Sequence, residues 1–211
     1  PPLVPHHGVA EDACLTFSVG MRAPSSAELI GDYLDTLIDG ADEALRYHDE
    51  DLQVPADPYE IDAAAMGRVV EALNALRMND PDRLGAWFGR FITTYRAAGE
   101  ILPPANPPAA QEVAAALEQG LVLQRHPWAR PAWRRATRGA TLFCSGLEFA
   151  LPLKDARRLA AADHLDGADY AALSAAGRET LLQLVEAGFY QPLDETGDDG
   201  DDHGEDADAQ D

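Results

Sequence analysis

Apolar and polar residues alternate over residues 14–19. Leu15, Phe17 and Val19 share one face, while Cys14, Thr16 and Ser18 share the other, which predicts a strand with one greasy side and one small, polar side. Pro1, Pro2 and Pro5 forbid a helix ahead of it, and Gly8 can supply a turn. After Pro24 the period changes. Leu29, Ile30, Tyr33, Leu34, Leu37 and Ile38 recur at helical spacing, behind a Ser25/Glu28 capping box and before a Gly40 stop. A second helix is predicted from Asp57 and Pro58, carrying Ile61, Met66, Val69, Val70, Leu73 and Leu76 to about Met78. A third begins at Asp80 and Pro81 and lines up Leu84, Trp87, Phe88, Phe91, Ile92 and Tyr95. That stripe is heavy for a small three-helix bundle. It fits either an internal core or a face that meets a partner subunit.

Residues 101–108 hold four prolines and read as a stiff linker, the clearest domain boundary in the chain. Beyond it the pattern predicts a helix over 109–119 closed by Gly120. Short extended pieces follow at 121–125, 132–137, 141–144 and 147–151, two of them joined by a hairpin at Arg138 and Gly139. Helices over 154–162 and 174–187, the second closed by Gly188, lead to a last short strand at 189–192. Helix, hairpin strands, two helices and a strand make the content of a winged-helix-like domain. Residues 194–211 are low-complexity and acidic, and are expected to be disordered.

Composition sharpens this picture only in part. At 211 residues with 46% hydrophobic and 25% charged residues, the chain lies in the globular range and can hold one large or two small cores. No apolar run reaches the ~18 residues that span a bilayer. Cys14 and Cys144 lack metal-ligand spacing, so a reduced, cytoplasmic setting is the default. The net charge is −21. The segment 194–211 contributes ten carboxylates and no Lys or Arg, leaving 27 acidic against 16 basic residues in the body. Most of that surface would repel nucleic acid, so direct nucleic-acid binding is not expected. The chain opens on Pro1 in what reads as a strand, and is expected to be the C-terminal part of a longer protein.

Candidate chemistry is sparse. No nucleophile elbow, phosphate loop, paired-cysteine site or dinucleotide fingerprint is present. His48, His126, His164 and His203 are scattered in loop or helix contexts and read as surface residues. His6 and His7 are adjacent, and on a strand only one of them can enter a cavity. A single histidine entering a polar-lined sandwich suits one ligand of a non-haem iron site, which uses two histidines and a carboxylate. Neighbouring surface histidines are the commoner arrangement.

Longer-range order adds a resemblance. Pro-Pro-x-x-Pro-His-x-Gly at the start, then a strand running into Ser-Val-Gly-x-Arg-Ala-Pro and Glu-Leu-Ile, resembles the end of a JmjC-type cupin core. The closest group is the bacterial ribosomal oxygenases, protein hydroxylases that use Fe(II) and 2-oxoglutarate. The stretch 86–92 resembles that family's helical dimerisation region, and 117–120 with 186–190 its C-terminal winged-helix-like domain. The similarity runs over about residues 1–193. It implies an α+β chain made of a cupin/JmjC jelly-roll remnant (1–24), a helical dimerisation bundle (25–105), a winged-helix-like domain (106–193) and an acidic tail (194–211). It also implies His6 as the last iron ligand, with the Thr16 and Ser18 hydroxyls facing the 2-oxoglutarate cavity. The family's His-x-Asp pair, which supplies the other two ligands, is expected upstream of Pro1. No catalytic residue is assigned within the chain, and the chain alone is expected to be inactive.

Two functions follow. The first is the C-terminal part of a homodimeric hydroxylase acting on a ribosomal protein, with an arginine side chain implied as the target. The second is a non-enzymatic dimeric interaction or regulatory protein. A basic recognition helix would favour the second, but residues 174–187 carry only Arg178 against Glu179 and Glu186.

Overall fold

The structure is a computed structural model. It describes residues 23–50, 53–54, 57–94 and 99–193, with residues 9, 12, 13 and 15 described singly. His6, Thr16, Ser18 and the acidic tail lie outside the described residues, as do most of the positions assigned to the jelly-roll remnant.

The first helix, α1 (Ser26–Asp39), starts as the sequence predicts. Ser25 accepts from the Glu28 N–H at 3.2 Å, and the Glu28 carboxylate accepts from the Ser25 N–H at 2.7 Å, satisfying two amides that a helix start otherwise leaves orphaned. The second, α2 (Ala63–Ala75), starts five residues later than expected. Asp57 closes a turn by accepting from the Tyr59 N–H, whereas Asp62 accepts from Ala65 at 2.7 Å and is the true cap. The third, α3 (Pro81–Thr94), is capped by Asp80, which accepts from the N–H groups of Asp82 and Arg83. Those bonds, led by that from Arg83, hold the Asp80 carboxyl below its usual range.

The remainder comprises α4 (Ala110–Glu118), β1 (Leu123–Arg125), β2 (Pro131–Arg135), β3 (Ala140–Cys144), β4 (Leu147–Leu151), α5 (Leu153–Ala161), β5 (His164–Leu165), α6 (Gly167–Ala172), α7 (Ala175–Glu186) and β6 (Tyr190–Pro192). The sequence pattern predicts all of these but β5 and α6. A two-residue strand has no readable period, and α6 is a six-residue turn set by the Asp166/Asp169 capping box. The strands form two antiparallel three-stranded sheets, ordered β5-β1-β6 and β2-β3-β4. The β3–β4 turn is Ser145-Gly146, with φ of 45° and 88°. Two consecutive left-handed residues match the twist of a tight hairpin, and glycine is needed at the second.

The main core gathers Leu117, Leu123, Leu142, Leu159, Leu165, Leu181 and Leu184 from both sheets and from α4, α5 and α7. A second, smaller core packs Tyr33 and Leu37 of α1 against Trp87 of α3. Two polar anchors fix that pair: Trp87 Nε1 donates to Asp32 Oδ1 at 2.6 Å, and the Tyr33 hydroxyl donates to the Met78 carbonyl at 2.9 Å. The heavy α3 stripe therefore divides. Trp87 is buried, while Leu84 and Phe88 remain 41% and 43% exposed. The proline-rich stretch 101–108 holds no helix or strand, and Ile101 at its start packs against the main core, while α3 lies directly on β2, β3 and β4.

Candidate functional site

The β2–β3–β4 sheet reaches α3 because two small residues sit one helical turn apart on it. A Cβ at Gly89 would come within 2.4 Å of the Phe143 ring, and one at Gly85 within 2.5 Å of the Arg134 guanidinium. The aromatic ring of β3 thus seats directly on helix backbone. Around this contact the partners are polar: Arg134 donates to Asp82 at 3.1 Å and to the Pro81 carbonyl, Arg90 donates to Glu148 at 2.7 Å, and the Gly146 N–H donates to Thr93 Oγ1 at 3.1 Å. The two ion pairs are partly exposed and contribute little each, so apolar packing carries the interface.

Two cavities flank it. One, of about 490 Å³, is apolar and lies between Leu29, Leu84, Phe88, Ile92 and Trp133. The other, of about 670 Å³, is mixed in polarity and runs past Asp82, Arg134, Arg138, Thr141 and Glu148. Both are lined in part by Arg134 and Phe143, so the groove where α3 meets the hairpin offers an apolar site and a mixed-polarity site, suited to a peptide segment that presents both kinds of side chain. Sequence reasoning missed this groove. The available signal was the Gly85/Gly89 pair inside an otherwise aromatic helix.

Of the residues that sequence reasoning singled out, His6, Thr16 and Ser18 fall outside the described positions. The other described histidines are occupied locally or exposed. His126 Nδ1 accepts from the Trp128 N–H at 3.1 Å and its ring meets Trp128 edge-on, while His48 and His164 are exposed. A literal His-x-Asp occurs at His164 and Asp166. There Asp166 is committed to capping α6, accepting from the Asp169 N–H at 2.8 Å, and His164 pairs with Gln124 across the sheet. Among the described residues no group of three or more His, Cys, Asp or Glu could hold a metal ion. No helix among them is long and apolar enough to cross a membrane.

Two buried titratable groups, Cys144 and Tyr190, lie in the main core. Burial pushes the Cys144 thiol up to about 11 and raises the Tyr190 phenol as well. The Tyr190 hydroxyl lies within reach of the Ala162 carbonyl at 2.8 Å and the Leu159 carbonyl at 3.1 Å. In both cases the fold favours the neutral form. Their contribution to stability is complete below the unfolded-state pKa and is lost as pH rises toward the folded one. Cys144 alone accounts for roughly 2–3 kcal/mol across about pH 9 to 11. Melting temperature is expected to fall through that window, and Cys144→Ala is expected to flatten the fall. An unchanged slope in that variant would remove Cys144 as its source.

Comparison with known proteins places this geometry. Residues 75–191 match the family described as ROXA-like winged helix. A curated relative, ribosomal protein uL16 3-hydroxylase of Escherichia coli, is 35% identical over 125 residues, covering 59% of this chain and 33% of its own length. The chain therefore spans about a third of the curated relative it matches. The crystal structure of the Escherichia coli ribosomal oxygenase YcfD superposes with a TM-score of 0.66 at 27% identity, over 82% of this chain and 47% of that one. A further YcfD structure, in complex with cobalt and 2-oxoglutarate, gives a TM-score of 0.64 at 26% identity, over 81% of this chain and 47% of that one.

Proposed function

The chain belongs to the ROXA-like winged helix family, and from that premise we propose that it is the C-terminal portion of a cytoplasmic ribosomal-protein hydroxylase dependent on Fe(II) and 2-oxoglutarate. The observation that carries the reading is the match over 75–191 together with 35% identity to a ribosomal protein hydroxylase. The target by this reading is a side-chain carbon of an arginine in a large-subunit ribosomal protein, with a uL16-like protein as the first to test. A net-acidic body suits a basic substrate of that kind.

The described residues hold no group of three or more metal ligands. In this reading the chain contributes His6 as one ligand and the Thr16 and Ser18 hydroxyls as cosubstrate contacts. Two further ligands must come from residues outside it, so the 211-residue chain alone is inactive. The groove between α3 and the β2–β3 hairpin extends the path of the substrate peptide.

The test is mass spectrometry of the ribosomal protein after incubation with the complete gene product, Fe(II) and 2-oxoglutarate. The mass of one added oxygen on an arginine is expected. His6→Ala should abolish it and His7→Ala should retain it. Loss in both variants, or in neither, would refute the assignment of His6.

Homodimerisation through the helical layer belongs to the same reading. Its support is apolar exposure: α2 contains no buried residue, and Met66, Val70 and Leu73 on it and Ile30 on α1 are each more than half exposed. Val70→Glu with Leu73→Glu is expected to weaken self-association at least tenfold in sedimentation equilibrium, with the circular dichroism spectrum unchanged. Unaltered association would move the dimer contact elsewhere.

A further inference from the structure

The basic residues are unevenly placed. Between residues 123 and 163 there are eight Lys and Arg against three Asp and Glu, a local excess of five positive charges in a chain of net −21. Most of the carboxylates around this region are already committed. Asp163 is held by Arg125, Asp82 by Arg134, Glu148 by Arg90 and Asp169 by Arg158, while Asp155 is buried and accepts from Ser174. Three exposed arginines are left without an ion-pair partner among the described residues: Arg135, Arg138 and Arg157.

Two of them share the α5 side of the β2–β3–β4 sheet, and the third stands at the hairpin turn beside the cavity on its α3 side. Trp133 and Arg135 alternate on one face of β2, and α5 covers that face, placing the Arg157 guanidinium 5.2 Å over the Trp133 ring. Arg138 stands in the turn between Arg135 and the start of β3, which pair in register as Arg135 and Ala140. The three arginines thus flank the turn end of the β2–β3 hairpin, the wing, with Arg157 backed by the Trp133 indole and Arg138 at the turn.

We propose that this cluster is the docking surface of the chain's own acidic segment, residues 194–211. That segment holds ten carboxylates, no Lys or Arg, and no apolar side chain larger than alanine, so guanidinium pairing is the interaction open to it. It is tethered to the same domain, since the Leu193 N–H donates to the Val122 carbonyl at 2.9 Å beside β1. Eighteen residues of such composition have a root-mean-square reach of about 20–25 Å. A domain of this size has a radius of gyration of about 12 Å, so the hairpin tip is within reach at an effective concentration on the order of millimolar. RNA is the rival ligand for three arginines and a tryptophan. A long polyanion laid across the cluster would meet the acidic remainder of the surface, and a short tethered one need not. The docked segment thereby keeps the wing from other polyanions.

A nitroxide at Gln210→Cys, in a Cys14→Ser background of the 211-residue chain, tests the contact. At low salt the amide signals of residues 133–140 and 157 are expected to lose most of their intensity. They should recover in salt of about 0.5 M, where screening is short-ranged, and in R135E/R138E/R157E, but not in the triple lysine variant. Should the charge-swapped variant unfold, R135Q/R138Q/R157Q replaces it. Absence of broadening at low salt, or its persistence after charge reversal, overturns the proposal. A uridylate homopolymer provides the second arm. Roughly tenfold tighter binding after removal of 194–211, lost in the triple variant, supports occupancy of the cluster by the segment. Equal binding with and without the segment makes the cluster an RNA surface and overturns it.

Discussion

Phe143→Ala is expected to lower the free energy of unfolding by about 3–5 kcal/mol, among the largest losses available to a single substitution in this chain. The ring is 2% exposed and fills the space left by Gly89, so its removal opens a void that helix backbone cannot collapse into. The reciprocal change has a less obvious sign. Glycine to alanine within a helix ordinarily gains roughly 0.5–1 kcal/mol from reduced backbone entropy. At Gly89 the added methyl would stand 2.4 Å from two ring atoms of Phe143 and 2.5 Å from a third, and the ring is held between sheet and helix. Overpacking of that kind costs about 1–3 kcal/mol, so the clash prevails and Gly89→Ala is destabilising. Combining Gly89→Ala with Phe143→Leu should recover part of the loss. Urea unfolding of the four proteins in the cycle measures the coupling. Strict additivity would mean that the helix and ring do not meet.

The second large effect is expected at the junction of α5 and α7. Asp155 is 1% exposed, and its carboxylate accepts from both the N–H and the hydroxyl of Ser174. That hydroxyl in turn accepts from Gly177 at 3.2 Å as the α7 cap. One buried carboxylate therefore fixes the start of α7 against α5, at the helix end where negative charge is favoured. Asp155→Ala strands the Ser174 amide and should cost about 2–4 kcal/mol. Ser174→Ala removes the cap, worth about 1 kcal/mol, and also takes one donor from a buried charge, so a comparable loss is expected. The pair should be strongly non-additive in denaturant midpoints, because either change alone dismantles the same network. Two independent losses of ordinary surface size would contradict it.

The secondary structure was legible where local chemistry decides it. Ser25 with Glu28 and Ser174 mark helix starts that the structure reproduces, as does Asp80 ahead of Pro81. At α2 the pattern predicts the cap at Asp57, but an aspartate can also close a turn on its own neighbour. Asp57 did so with Tyr59, and the helix waited for Asp62. The winged-helix content was readable from the order of short strands and helices. The partition of those strands into two sheets was not, since β1 pairs with β5 and β6 across some forty and seventy residues. Periodicity carries no information about such closures. The groove was hidden for the same reason: it is formed by α3 and a hairpin about fifty residues further on, brought together by the absence of side chains at Gly85 and Gly89. His6, Thr16 and Ser18 rest on family resemblance, and the acid-against-arginine asymmetry that singles out the wing was present in composition but acquires meaning only once each carboxylate has its partner.

The contact of α3 with the wing sheet also changes what the proline-rich stretch is. Residues 101–108 separate α3 from α4 along the chain, yet Trp87 and Phe143 bind the two sides through one helix with aromatic neighbours on opposite flanks. The stretch is a strap over a continuous body. A proteolytic nick within it would leave two pieces that co-elute as a single native-like particle, and the helical layer and the wing would turn together as one lever.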